Sequence, residues 1–261
     1  MDCLSIPQTL KINKNKSIGT VVIVVEGADY EFKILKRIFH DILGYTYITK
    51  SRNKKRIKEY NEFTRKENRD SRVIVLNTSN SNIDTIATDI EYKEFVYNLL
   101  LKKYRIDPKN VPIYFLWDRD CCSNKQIKTK QLLESLCNSY DNPDFDINGL
   151  LLLNYPCVES FTISNFYKNA YKMKITKLKD FVKSNQLYIS KINDTKLLNA
   201  AVNMHSAMIS LGIKYYNLDN FKVSNLKIFG KQEEIFARMG SYKILSMLSI
   251  ILIDLGIICR R

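Results

Sequence analysis

The stretch TVVIVVEG, residues 20–27, decides the fold. Its β-branched residues run without a polar interruption, in a segment too short for a helix and apolar on both faces. That is the signature of a central strand in a parallel sheet. The run stops at Glu26-Gly27. Phe32, Leu35, Ile38, Phe39, Ile42 and Leu43 then recur at intervals of one to four residues. This spacing predicts an amphipathic helix ending at Gly44. Asp29 precedes the periodic run and is placed to cap it.

Working outward, the same alternation repeats. SRVIVLN (71–77) reads as a second buried strand, the polar TSNSN as a loop, and residues 88–104 as a helix. PIYFLW (112–117) is a third strand, ending at Asp118-Arg119-Asp120, with a helix expected over 124–138. GLLLLN (149–154) is a fourth strand, followed by YPCVESF and another helix. Strands alternating with helices imply βαβ units, a parallel sheet and right-handed crossovers. Beyond residue 165 the pattern turns helical. The expected organisation is a lead-in over 1–18, an α/β domain with a Rossmann-like parallel sheet flanked by helices over 19–165, and a smaller, mostly helical region over 166–261.

Composition narrows the partners. Of 261 residues, 45% are hydrophobic and 26% charged, as in a globular protein, and eight Gly with five Pro exclude a collagenous chain. Lys and Arg total 41 against 27 acids, a net charge of +14. Such an excess attracts polyanions, chiefly nucleic acid, because neutralising phosphates releases condensed counterions. The basic residues are bunched. Residues 50–72 hold ten of them, including Lys54, Lys55, Arg56, Arg65, Arg69 and Arg72, on what reads as a helix with one basic face. A second bunch comprises Lys172, Lys174, Lys177, Lys179 and Lys183.

The six cysteines are scattered without zinc-ligand spacing, and neither His40 nor His205 has a ligand-like neighbour. Thiols used this way, with no secretory signal, predict a reducing cytoplasm. The vicinal Cys121-Cys122 and Trp117 are expected to follow or fill a strand end, and His205 to be structural. ILSMLSIILIDLGIIC (244–259) is too short for the ~20 residues of a membrane span and contains Asp254, so it predicts a buried helix and no membrane.

The chemistry sits at strand ends. Glu26 closes the first strand, and Asp118 and Asp120 close the third. Ligands of open α/β sheets bind just beyond the carboxyl ends of the strands. Carboxylates gathered there repel one another unless a cation lies between them. Hard oxygen donors suit Mg²⁺ or Mn²⁺, which keep waters and bind through a few carboxylates plus substrate phosphates. Residues two apart in an extended segment point the same way, so Asp118 and Asp120 can face one site while Arg119 turns elsewhere.

A strand ending in EG, then a helix, then a later strand ending in DxD, resembles the TOPRIM domain, over residues 19–165. The resemblance rests on VVIVVEG with Glu26 and IYFLWDRD with Asp118 and Asp120. It implies a magnesium (or manganese) site for phosphodiester chemistry on those three residues. EGADYE is similar to the start of several defence-associated TOPRIM nucleases, which adds Glu31, and YPCVESF resembles a strand-end segment in which Glu159 is a further ligand. The overlong nucleases and stand-alone TOPRIM effectors of bacterial anti-phage systems are the most similar group. The resemblance therefore implies a metal-dependent nuclease of DNA or RNA, a toxic defence effector controlled by a separate ATPase, with self-association as a further expectation. Lys54, Lys55, Arg56, Arg65, Arg69, Arg72, Lys172 and Lys174 would carry the phosphate backbone. Departures are the missing glycine after DxD, which weakens a primase or topoisomerase assignment, and the missing Walker A motif, which leaves any ATPase to a partner. The rival readings are an RNA-maturation ribonuclease and a non-catalytic subunit docked on an ATPase through the apolar C-terminal run.

Overall fold

Thr20–Val25 folds as strand β2 at the centre of a mixed sheet. The computed structural model describes residues 9–27, 29–48, 60–65, 71–77, 96–103, 105–120, 125–140 and 148–260. Val21 through Val25 have no exposed surface. Full burial of each such side chain is worth ~1.5–3 kcal/mol, so this strand is a main anchor of the core.

The other three apolar runs are β5 (Arg72–Asn77), β6 (Ile113–Asp118) and β8 (Gly149–Tyr155). All lie parallel to β2, side by side in the order β5-β2-β6-β8. Antiparallel strands extend both sides: β3 (Thr46–Ile48) and β4 (Tyr60–Thr64) beyond β5, and β7 (Cys137–Asn138) and β9 (Leu245–Ser246) against β8. A separate two-stranded sheet pairs β1 (Leu10–Ile12) with β10 (Ile258–Arg260). The helices are α1 (Tyr30–Lys36, continued by a wider π turn over Arg37–Ile42), α2 (Gln126–Ser135), α3 (Glu159–Phe166), α4 (Leu178–Ser184), α5 (Asp194–Ser210), α6 (Phe221–Met239) and α7 (Leu248–Asp254). Residues 96–103 are also helical. The architecture is α/β, with a mostly parallel core sheet flanked by helices. Gly44, at φ +74°, ends the first helix in the left-handed conformation that glycine adopts without strain.

The order of the parallel strands fixes where a ligand can sit. The chain leaves β2 for β5 on one side, whereas it leaves β6 for β8 on the other. The carboxyl ends of β2 and β6 therefore flank a topological switch point, where the connecting loops part and leave a crevice.

Three expectations are corrected. In the basic stretch 50–72, Tyr60–Thr64 is a strand rather than part of a helix. The cause is tertiary: Phe63 is fully buried and meets the rings of Phe32, Phe39 and Tyr47 at centroid distances of 5.3–6.0 Å. The run 244–259 is not one helix but β9, α7 and β10 in succession, because two of its parts are recruited as strands by β8 and β1. It is largely buried, and core residues from Ile192 onward share one hydrophobic cluster with the sheet, while Ile163, Ala170, Leu178, Leu187 and Ile244 form a second, smaller one. Asp29 occupies the cap position of α1 but does not cap it. Its carboxylate instead accepts from Lys33 Nζ at 2.7 Å. Cys121 and Cys122 lie outside the described residues; Trp117 is core, packed edge-on to Phe115. His205 is buried in α5 against the Tyr216 ring, and burial pushes its pKa down to about 4. Among the described residues, no helix is long and apolar enough to cross a membrane.

Candidate active site

Two strand ends meet first. Val25, the end of β2, is in register with Leu116, two residues before the end of β6 at Asp118, so Glu26 and Asp118 emerge at the same edge of the sheet. The Glu26 carboxylate reaches across and accepts from the Asp118 backbone N–H at 3.2 Å. Asp118 closes β6 opposite Asn154 of β8. Asn154 Nδ2 donates to Asp118 Oδ1 at 3.3 Å, and Ser246 Oγ of β9 donates to Asn154 Oδ1 at 2.6 Å. A short relay thus fixes the Asp118 side chain from the C-terminal segment.

Arg119 turns away, as the DRD spacing predicts. It is buried in a two-pronged pair with Glu233 of α6 at 2.8 and 2.9 Å, beside the rings of Phe229 and Tyr242. Its charge is thus matched by Glu233 within the core. Asp120 is exposed next to the cluster and its charge is felt at Glu26.

Two helix starts supply the remaining acids. Glu31 lies in the first turn of α1, buried, with Oε1 accepting from Gly27 N–H at 3.2 Å. A Cβ at Gly27 would stand 2.3 Å from Glu31 Oε2, so glycine here makes room for the carboxylate. Glu159 opens α3, also buried, and its Oε2 has no hydrogen-bond partner. Tyr30 OH and Thr162 Oγ1, 2.9 Å apart, tie the two helix starts together.

The electrostatics follow from this crowding. Burial raises the pKa of Glu26, and the negative charges of Glu31 and Asp120 push it the same way. Burial likewise raises Glu31, with Glu159 adding to the effect. Asp118 is held well above the usual carboxylate range by burial and by Glu31, Glu26 and Glu159. Burial beside Glu159 also drives the Cys157 thiol far up, so it is not a thiolate nucleophile. The cation whose charge reaches both Glu26 and Glu31 is the exposed Lys179 of α4.

The structure therefore brings Glu26, Glu31, Asp118, Asp120 and Glu159 into one electrostatic group. Among the described residues, however, no three His, Cys, Asp or Glu side chains form a ready metal cage. Glu26 is drawn to a backbone amide, Asp118 to Asn154 and Glu31 to Gly27, so each carboxylate turns an oxygen to a donor of the chain. The donor set still fits a hard divalent cation. Magnesium is commonly held by only one or two carboxylates, the rest of its shell being water and phosphate. The orphaned Glu159 oxygen and the mutual repulsion are what such a cation would relieve.

The predicted basic residues are divided. Lys172 and Lys174 are exposed before α4, with Lys172 Nζ 5.7 Å from the Tyr171 ring. Arg65 and Arg72 lie at the opposite, amino end of the sheet. Arg72 starts β5 and pairs with Glu62 at 2.6 Å, and Arg65 stands over the Tyr45 ring. Six residues of strand at about 3.3 Å each separate that end from the acids. Lys54, Lys55, Arg56 and Arg69 lie outside the described residues. The sequence reading passed over Asn154, although a polar residue closing an apolar run is a visible signal. It also named Lys179 without singling it out, because nothing local distinguishes it from its lysine neighbours. No family model, curated protein or solved structure matches the chain.

Proposed function

We propose that the chain is a metal-dependent nuclease of the TOPRIM-like kind. The observation that carries this reading is the crowding of Glu26, Glu31, Asp118 and Glu159 at the switch point of the sheet, beside Lys179. Buried like charges are costly, and a fold that gathers them at its ligand-binding edge does so for a cationic occupant. Glu26 and Asp118 would hold the ion, with Asp120, Glu31 and Glu159 as further oxygen donors. Bound Mg²⁺ or Mn²⁺ supplies Lewis acidity and an activated water for in-line displacement at phosphorus.

The chain's own residues do the rest. Asn154 and Ser246 fix the direction of Asp118, and Gly27 N–H fixes Glu31. Arg119 is locked on Glu233, which leaves the acids un-neutralised by their nearest guanidinium. Lys179 offers a charge to the phosphate that the acids would otherwise repel. The resemblance noted in the sequence supports the wider setting, a toxic defence effector held by an ATPase.

The test is cleavage of single- and double-stranded DNA and RNA by the purified chain with Mg²⁺, Mn²⁺ or EDTA. Cleavage is expected to require metal, and Glu26→Ala is expected to abolish it while binding is kept or strengthened. Cleavage that persists in EDTA, or at wild-type rate in the variant, overturns the mechanism.

A further inference from the structure

One cleft shares Glu159 and Lys179 with the acidic group and extends beyond it. It has a volume of about 520 Å³, in the range of sites that hold small organic ligands. Tyr30 and Glu159 line it on the side of the acids. Lys179, Val182 and Lys183 of α4 line another side, and Leu187, Tyr188 and Ile189 of the following turn complete it.

The lining is of two kinds. Lys179 and Lys183 are four residues apart, so both ammonium groups stand on one face of α4, with Val182 beside them. Among the described residues neither lysine makes an ion pair. Tyr188 is 52% exposed, a large ring left at the mouth of a cleft rather than in the core. Lys191 Nζ lies 5.0 Å from the Tyr188 ring and adds another positive charge at this rim. An apolar slot with an aromatic wall and a cationic rim matches a nucleobase attached to phosphates. Aromatic rings stack on any base, and lysines follow the backbone. The base must be unstacked to enter, because within a duplex only its edges are accessible.

Resting on the nuclease reading, we infer that this cleft takes an unstacked base of a single-stranded nucleic acid, with Tyr188 as its stacking platform and Lys179 and Lys183 on the flanking phosphates. Glu159 belongs to both the cleft and the acidic group, so a base seated here delivers its adjacent phosphate to Glu26 and Asp118. The substrate is accordingly a single strand, or a frayed or looped part of a duplex.

The experiment uses the full chain with Ca²⁺ and an oligonucleotide of roughly 12 nucleotides carrying 2-aminopurine, whose fluorescence is quenched by stacking. It is offered as a single strand, as a duplex and as a strand abasic at every position, the last read by competition with the fluorescent strand, and cleavage of each is measured separately with Mg²⁺. The single strand is expected to bind at least about ten-fold tighter than the duplex. Tyr188→Ala is expected to weaken it by about 5- to 100-fold, with loss of quenching, from the known worth of one base stack. Tyr188→Phe keeps the ring and is expected to keep the affinity. The abasic strand should be insensitive to Tyr188→Ala. Equal binding of duplex and single strand, or an unchanged affinity in Tyr188→Ala, overturns the cleft even if metal-dependent cleavage is seen. Tyr188-dependent binding without cleavage in any metal upholds the cleft and removes the nuclease reading instead.

Discussion

The two ends of the parallel sheet treat buried charge in opposite ways. At the amino end the described buried acids Glu62 and Asp254 each face a donor. Glu62 accepts from Arg72, and Asp254 accepts from Tyr114 OH at 2.6 Å and Ser139 Oγ at 3.4 Å. Ser71 accepts from Ile18 N–H at 3.0 Å beside them. At the carboxyl end Glu26, Glu31, Asp118 and Glu159 are arranged against one another, and the nearest guanidinium is spent on Glu233. One end sets acids against donors, with only Glu62 Oε2 among these oxygens lacking a hydrogen bond, and the other sets acids against acids. A polar group satisfied within the chain contributes to stability, whereas one left unsatisfied at a crevice reads as a site for something the chain does not contain.

The largest effect should come from removing what serves both ends. Deletion after Ser241 takes away β9, α7 and β10, hence both Ser246, which steadies Asn154, and Asp254, which receives Tyr114. Ile244, Leu245, Met247, Leu248, Ile250, Ile251 and Leu252 are all at most 1% exposed. At ~1.5–3 kcal/mol for each buried side chain, their loss amounts to ~10–20 kcal/mol, as large as the whole ~5–15 kcal/mol stability of an ordinary domain. The expected product is unfolded or aggregated, as circular dichroism and light scattering would show. A soluble, monodisperse fragment with native secondary structure would mean that the segment is not core.

A matched pair of substitutions separates the ends. Asp118→Asn should raise the melting temperature in the absence of divalent metal, because it deletes a charge from a repelling group. It should also reduce cleavage by about a thousand-fold or more, as expected when a metal ligand is lost. Arg72→Ala should do the reverse, because it removes the cation that faces the buried Glu62. A cost of about 2–4 kcal/mol is expected, with cleavage per folded molecule unchanged. Differential scanning calorimetry beside a cleavage assay reads both. A lowered melting temperature in metal-free Asp118→Asn would show that the acids are not in conflict.

The smallest effect is in pH dependence. Glu26, Glu31 and Asp118 have raised pKa values in the folded state, so the fold binds more protons than the unfolded chain. Stability must then fall as pH rises from the ordinary carboxylate range through those raised values. His205 has the opposite sign. Its folded pKa is lowered to about 4, so its contribution is present above its ordinary value of 6.5 and lost as pH falls toward 4. Subtracting the Asp118→Asn curve from the wild-type curve between pH 5 and 8 removes the histidine and isolates the acids. The wild type should lose stability relative to the variant as pH rises, and Mg²⁺ should restore more of it at pH 8 than at pH 5. A flat difference curve would show that the carboxylates do not interact strongly.

What the sequence determined by itself is what local pattern can carry. Four apolar runs became four parallel strands, because a segment apolar on both faces has no alternative to burial between layers. Glu26 and Asp118 were legible because a charged residue ending such a run marks the point where the strand leaves the core. Glu31 and Glu159 entered only through the resemblance of EGADYE and YPCVESF, since an acid in a first helical turn carries no mark of a site by itself. Only the tertiary structure decided the order β5-β2-β6-β8, and with it that Glu26 and Asp118 share one crevice while Arg65 and Arg72 lie at the far end. It alone made Tyr60–Thr64 a strand, since the rings around Phe63 come from residues 32, 39 and 47. It alone divided 244–259 into strand, helix and strand, because an unbroken apolar run has no period and pairing with distant strands chooses its conformation. Asn154, Ser246, Lys179 and Tyr188 gained their places in the same way. Their places depend on contacts between distant segments, Ser246 with Asn154 across 92 residues and Tyr188 with Tyr30 across more still, and no local periodicity encodes which distant neighbour a side chain will meet.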